Sequence, residues 1–249
     1  MKTTGSTVLI TGATSGIGLG LAERLQARGD TVIVAGRRRA LLDEIVRAHP
    51  GMHPLELDVT DPASIRAAAE TVTREHPDLD VVITMAGIML PEDLRDPAHL
   101  EVAESTIATN LLGTIRTAAA FGPWLAAKPD GVLMTVSSGL ASVPLPATPT
   151  YSATKAAVHS FTQSLRVQWA ATPLQVIELV PPAVRTTLMG QQDEESAMPL
   201  DEFLDEVMRI LEGQPEVEEV LVQRVRFLRD AEAEGRHADV LAMLAQRTH

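Results

Sequence analysis

Residues 9–25 read "LITGATSGIGLGLAERL". An apolar run leads in and an amphipathic stretch leads out. Between them Gly12, Gly16 and Gly18 follow a G-x-x-x-G-x-G spacing. Glycine lets a backbone turn sharply and approach another group without a side chain in the way. A helix that starts at such a turn points unpaired N–H groups and a partial positive charge at whatever sits there. Glycine alone also serves ordinary tight turns. The flanking strand and helix, at the head of the first βαβ unit, favour a phosphate-binding turn for a dinucleotide.

The same alternation continues outward. Strand patterns fall at "TVLIT" (7–11), "TVIVAG" (31–36), "HPLELDV" (53–59), "DVVITM" (80–85), "GVLMTVS" (131–137), "LQVIELV" (174–180) and, more weakly, "EEVLVQ" (218–223). Most are continuous apolar runs, as in strands covered on both faces. Helix patterns fall near 16–28, 39–48, 62–76, 97–127 and 150–171; "DPASIRAAAE" (61–70) begins with Asp61 as N-cap and Pro62 in the first turn. The expected fold is a Rossmann-type, doubly wound α/β parallel sheet of about seven strands with helices on both faces. One domain is expected over 1–249. The irregular stretches 137–149 and 181–200 follow the fifth and sixth strands, where loops build the ligand crevice of such a sheet.

Composition narrows the function classes. The chain has 249 residues, a formal net charge of -12 and no cysteine. An acidic chain is repelled by nucleic acid and by anionic membranes. Without cysteine there is neither a disulfide framework nor thiolate chemistry. The seven histidines form no H-E-x-x-H pair, so no metal is expected. No apolar run approaches the roughly 18 residues of a membrane span. The start "MKTTGSTVLITG" has no signal-peptide core, so the expected location is the cytoplasm. Residues 191–234 hold 14 acids and four bases, the pattern of a solvated outer face.

The second strand ends in "VAGRRRALLDEI" (34–45). A carboxylate there would accept hydrogen bonds from a ribose 2′-hydroxyl and repel a 2′-phosphate. The chain offers Arg37, Arg38 and Arg39 instead, and a guanidinium grips phosphate with paired hydrogen bonds. Arg37, and less strongly Arg38, therefore point to NADP(H); at least one of the three is expected to be solvated.

"YSATK" (151–155) places Tyr151 and Lys155 four apart, on one face of a helix. A phenol titrates near ~10, and a nearby ammonium favours the phenolate. Such a tyrosine can give a proton to a forming alkoxide or take one from an alcohol. The same spacing is common on ordinary helices. In "LMTVSSGLASV" (133–143), Ser137 and Ser138 stand at the crevice end of the fifth strand, where a hydroxyl could hold a carbonyl oxygen. No G-x-S-x-G turn suggests a serine nucleophile.

Together these motifs resemble the short-chain dehydrogenase/reductase family over about residues 5–190. The resemblance rests on "TGATSGIG" (11–18), "DV" (58–59), "AG" (86–87), Asn110 in "ATNLLGTIR", "SS" (137–138), "YSATK" and "PPAVRT" (181–186). It implies that Tyr151 is the acid/base, and that Lys155 lowers its pKa and binds the nicotinamide ribose. Ser138 would orient the substrate oxygen. Asn110 would hold a water in a relay to Lys155; its alternative is a helix kink. Cofactor contacts would come from Gly12, Thr14, Ser15, Gly16, Ile17 and Gly18 in the turn. Asp58 and Val59 would meet the adenine, with Ala86 and Gly87 further along, and Pro181, Val184 and Thr186 would lie at the nicotinamide end. Thr84-Met85 stands where the family often has asparagine, and Pro181-Pro182 where it often has Pro-Gly. The tail from residue 218 resembles a DltE-like subgroup.

The expected activity is hydride transfer between NADP(H) and a carbonyl or alcohol of a small, largely apolar substrate. Met89, Leu90, Leu140, Val143, Leu188 and Met189 are the candidate pocket residues, and Arg185 is a candidate for an anionic group. Two other readings remain: an NADP-binding regulatory or scaffold protein without turnover, and action on C=N or by dehydration or epimerisation. The family resemblance implies a homodimer or homotetramer through the alanine-rich helices. A substrate loop or lid is expected over 186–215, and a C-terminal extension over 216–249.

Overall fold

A computed structural model describes Lys2 and residues 4–246 of the chain. The expected domain over 1–249 also takes in residues 1, 3 and 247–249, which lie outside the described ones. The chain alternates β1 (Thr7–Thr11), α1 (Gly16–Ala27), β2 (Thr31–Gly36), α2 (Arg39–Ala48), β3 (His53–Glu56), α3 (Pro62–Glu75) and β4 (Leu79–Thr84). It continues through α4 (His99–Thr106), a π-helical turn (Ile107–Leu112), α5 (Gly113–Ala126), β5 (Val132–Val136), α6 (Pro149–Trp169) and β6 (Gln175–Leu179). It closes with α7 (Leu200–Gly213), β7 (Glu219–Val220), α8 (Arg226–Arg229) and α9 (His237–Ala245).

All strand pairs are parallel, in the order β3-β2-β1-β4-β5-β6-β7. The order reverses between β1 and β4, and a ligand crevice opens at the carboxyl ends there. Alternate residues feed two cores. Val8, Ile10, Val32 and Val34 pack with α1, α2 and α7. Leu9, Ile33 and Val82 pack with α3, α5 and α6 on the opposite face. Covering both faces is why these strands read as unbroken apolar runs.

Two expectations change. The long helix expected over 97–127 is broken by the π turn, which contains Asn110. And α7, inside the stretch expected to be a lid, is a core helix: Phe203, Leu204, Val207, Met208 and Leu211 are buried against the sheet. Its outer acids Asp201 and Asp205 both pair with Arg24 of α1. An apolar face committed in this way cannot swing off without exposing that core. Any lid is thereby reduced to 186–199.

Candidate active site

The turn after β1 is shaped by its own packing. Gly12 has φ +69°, and a Cβ there would stand 2.6 Å from Ala86 Cα. A Cβ on Gly18 would stand 2.6 Å from the Gly12 carbonyl oxygen. Gly16 needs its left-handed φ of +55° and faces Thr186. Two of the three glycines are therefore required to bring β1, β4 and α1 together, and Gly16 shapes the opening. Ser15 precedes α1 and makes no side-chain cap, so the first N–H groups of the helix keep no side-chain acceptor from it.

These groups open onto a cavity of about 420 Å³. Its walls include Gly12, Thr14, Ser15, Gly16, Ile17 and Gly18, and on the far side Asp58, Val59, Ala86 and Gly87. Arg37 and Arg38 stand at its rim; Arg38 also donates to Thr14 Oγ1 at 3.1 Å, while Arg39 is paired with Asp43 at 2.9 Å outside it. Asp58 Oδ1 accepts from the Thr60 N–H and hydroxyl. Burial pushes the Asp58 carboxyl up, but these bonds and the nearby Arg37 charge hold it below the usual carboxylate range. Uncapped N–H groups, two guanidiniums and a narrow apolar floor fit a phosphorylated dinucleotide. Thr109 and Ile88 also line this cavity, with no motif to mark them in sequence.

A second cavity of about 670 Å³ shares Ile17, Met85, Gly87, Thr186 and Leu188 with the first. Ser138, Tyr151 and Lys155 line it, together with Pro181 and Val184. Tyr151 and Lys155 lie in the first turns of α6 and are 8% and 6% exposed. Burial pushes the Tyr151 phenol up to about 12, and a hydrogen bond with Ser138 pulls the other way. Burial brings Lys155 down to about 8, opposed by the charge of Glu178. Lys155 Nζ donates to the Val136 carbonyl at 2.8 Å and stands 5.5 Å from the Tyr151 ring centre. The net shift of the phenol is upward, set by burial and opposed by Ser138 rather than by Lys155.

Asn110 is fixed by the backbone of Ile88. Its Oδ1 accepts from the Ile88 N–H at 2.8 Å, and its Nδ2 donates to the Ile88 carbonyl at 2.8 Å. A Cβ on Gly87 would lie 3.3 Å from Asn110 Oδ1 and 3.8 Å from Lys155 Nζ, so the glycine separates the two. The departures at 84–85 are accommodated by threonines: Thr11 Oγ1 accepts from the Ala86 N–H at 3.1 Å, and Thr84 Oγ1 donates to the Met134 carbonyl. Beyond Pro181-Pro182 the loop is pinned instead by a bridge between Val184 and Met198.

Of the apolar candidates, Met89, Leu140, Leu188 and Met189 line the larger cavity. Leu90 is 42% exposed and lies outside its wall. Val143 is fully buried with Ala231, Val240 and Leu244, because the tail folds back over the 140s loop. Arg185 donates to the carbonyls of Glu194 and Glu195 and is not on the wall of the larger cavity. Leu228 and Leu244 from the tail also line the cavity, and only the tertiary fold brings them there.

Among the described residues, His159, Glu178 and Glu219 bring possible ligand atoms within 4.8 Å of one another. Arg229 already holds Glu219 through two hydrogen bonds of 2.9 Å, and His159 Nδ1 lies 2.9 Å from both oxygens of Glu178. The cluster is charge-compensated by protein groups.

The family model described as short chain dehydrogenase matches residues 6–197. This chain belongs to the short chain dehydrogenase family. Members are oxidoreductases that use nicotinamide cofactors. Among curated relatives, this short chain dehydrogenase is similar to the oxidoreductase DltE of Bacillus subtilis (strain 168), 38% identical over 235 residues and 93% of each chain. It is 33% identical over 188 residues, 73% of each chain, to an NADP-dependent 3-hydroxy acid dehydrogenase of Schizosaccharomyces pombe. Among solved structures, a short chain dehydrogenase from Burkholderia cenocepacia J2315 in complex with NADP superimposes with a TM-score of 0.85 at 28% identity, covering 98% of this chain and 99% of that one. One from Sphingobium yanoikuyae in complex with NADPH gives 0.77 at 28% identity, with 94% and 95% covered. The family match ends at residue 197, before the tail residues that reach the larger cavity. Among the described residues no helix is long and apolar enough to cross a membrane.

Proposed function

We propose that this chain is an NADP(H)-dependent reductase or dehydrogenase that interconverts a carbonyl and an alcohol on a small, largely apolar substrate. The observation that carries this reading is the position of Ser138, Tyr151 and Lys155, on the wall of the larger cavity beside its junction with the smaller one. A nicotinamide cofactor held by the turn and by Arg37 and Arg38 supplies or accepts the hydride. The Ser138 hydroxyl holds the substrate oxygen. Tyr151, protonated at neutral pH, gives that oxygen its proton on reduction and takes one back on oxidation. The Lys155 ammonium stabilises the phenolate formed, and Asn110 is the candidate for holding a water that resupplies the proton.

Substrate class follows from the walls. Met89, Leu140, Leu145, Met189, Leu228 and Leu244 are apolar, and besides Lys155 the charged side chain on the wall is acidic, Glu194. One ammonium and one carboxylate leave the wall without a net charge to select an ionic substrate. Arg37, Arg38 and NADP- or NADPH-bound relatives support the phosphorylated cofactor. Leu100 on α4 and Ile107 and Leu112 on the π turn are exposed, which supports a homodimer or homotetramer built on that helical stretch.

The test is NADPH oxidation over ketones, aldehydes, quinones and imines. Tyr151→Phe should keep NADPH affinity within about twofold and lower turnover by at least ~100-fold, within the range for loss of a general acid. Tight NADPH binding without turnover on any compound would instead support a binding module.

A further inference from the structure

In β5 and β6, Thr135 lies opposite Glu178. Residues two apart on a strand share a face, so Thr135, Ser137 and Glu178 point the same way. α6 lays Lys155, His159, Thr162 and Arg166 against that face, at the spacing of a single helical stripe. Thr135 and Thr162 hydroxyls meet at 2.7 Å. Ser137 Oγ donates to Glu178 Oε1 at 2.5 Å, and His159 Nδ1 sits 2.9 Å from both carboxylate oxygens.

Glu178 is 0% exposed. A buried carboxylate is costly even when paired, and an apolar residue at such a position is often at least as good for stability. Its surroundings are all accounted for. α6 contributes His159 and also Arg166, 4.0 Å from Glu178 Oε2. β7 contributes Glu219, which is held by Arg229 of α8. The hydrogen bond to Glu178 is the main reason the His159 imidazole is raised above its usual range; Arg229 works against it and Glu219 with it. On the site side, Val136 supplies the carbonyl that receives Lys155, and the next residue, Ser137, is bound to Glu178.

We propose that Glu178 is a positioning residue for the reaction: from behind the substrate cavity its carboxylate is the negative charge facing the α6 stripe that carries Lys155, and it fixes the Ser137–Ser138 strand end through the Ser137 hydroxyl. This rests on the reading of Lys155 as the partner of Tyr151. Burial alone drives Lys155 towards the neutral amine, and Glu178 is the charge that opposes it. On Lys155's own helix face Tyr151 is a neutral phenol, and His159 and Arg166 bring no negative charge, so none of the three holds the ammonium. A neutral amine could not stabilise a phenolate.

The chain has only three lysines, Lys2, Lys128 and Lys155. Protein labelled with ε-13C-lysine therefore gives three titrating signals, and Lys155→Met assigns the one of interest. Glu178→Gln keeps the shape: its carbonyl oxygen can accept from Ser137, and its amide can donate to neutral His159. The Lys155 midpoint should fall by about one pH unit, with Lys2 and Lys128 unmoved. Glu178→Asp, which keeps the charge, should restore most of the shift. The alkaline limb of kcat/KM should move with the midpoint. A Lys155 midpoint unchanged in folded Glu178→Gln overturns the proposal. Should that variant not fold, His159→Arg at a quarter-exposed position takes its place. A fixed cation against the same carboxylate should also lower the midpoint, and no fall overturns the proposal. The NMR reading needs no substrate. A shifted Lys155 with an unshifted activity profile would leave Glu178 acting on Lys155 but overturn its role in the reaction, together with the place of Lys155 in the proposed chemistry.

Discussion

Gly12→Ala separates what the first glycine does for the fold from what it does for a ligand. A Cβ at Gly12 would stand 2.6 Å from Ala86 Cα and 2.9 Å from Ala86 N. Both are backbone atoms at the end of β4, so no side-chain rotation relieves the clash. The left-handed φ of +69° costs an alanine about 1–2 kcal/mol. Forcing the ends of β1 and β4 apart adds about 1–3 kcal/mol, as for other overpacked interiors. The expected loss of about 2–5 kcal/mol is a large share of the ~5–15 kcal/mol that stabilises a typical domain. For a chain of this length it corresponds to a fall in Tm of about 5–15 °C. Gly16→Ala is the comparison. Its nearest neighbours are Thr186 Cβ and Cγ2 at 3.4 Å, an ordinary contact, so only the conformational cost of about 1–2 kcal/mol remains. Calorimetry without cofactor reads both, beside NADPH titrations. A Gly12→Ala protein that melts within about 1 °C of the parent yet loses NADPH would refute the packing argument and return this glycine to the ligand alone.

Three further outcomes follow from the site. Arg37→Glu should weaken NADPH by about 10- to 100-fold, the worth of charge-assisted hydrogen bonds, and leave NADH unchanged or tighter; Arg39→Gln, whose parent residue is tied to Asp43, should change neither. An unaltered NADPH/NADH ratio in Arg37→Glu would count against the 2′-phosphate assignment. Lys155, held down to about 8 from its ordinary 10.5, binds fewer protons folded than unfolded between those values, so its burden on stability is full below pH 8 and is relieved as pH rises to 10.5. The stability advantage of Lys155→Met over the parent should therefore shrink across that window, measured by denaturant unfolding at pH 7, 8 and 9.5. Tyr151→Phe, measured for NADPH affinity and turnover together, completes the set.

Much of the site was legible because its motifs are local. The glycine turn, the arginines after β2 and the Tyr151–Lys155 pair each lie within a few residues on one element, where helix and strand periodicity fixes their relative direction. The π turn was legible only as the alternative of a helix kink at Asn110, because one extra residue per turn leaves an alanine-rich helical pattern intact. Within 191–234 the acidity of α7 described only its outer face, and Asp201 and Asp205 masked a buried stripe from Phe203 to Leu211. Leu90 and Val143 were misplaced because apolar character does not tell a cavity wall from a core or a surface.

The sequence by itself determined the alternation of strand and helix, the parallel sheet that follows from it, and the candidate proton-handling groups, since all of these are encoded over short separations. Only the tertiary structure decided what surrounds them. It folded Leu228 and Leu244 onto the larger cavity, buried α7 in the core and set Glu178 between Ser137 and His159, residues 41 and 19 positions away. Periodicity carries direction along an element. Which distant side chain shares a buried charge is set by strand register and helix packing, and those exist only once the sheet has formed.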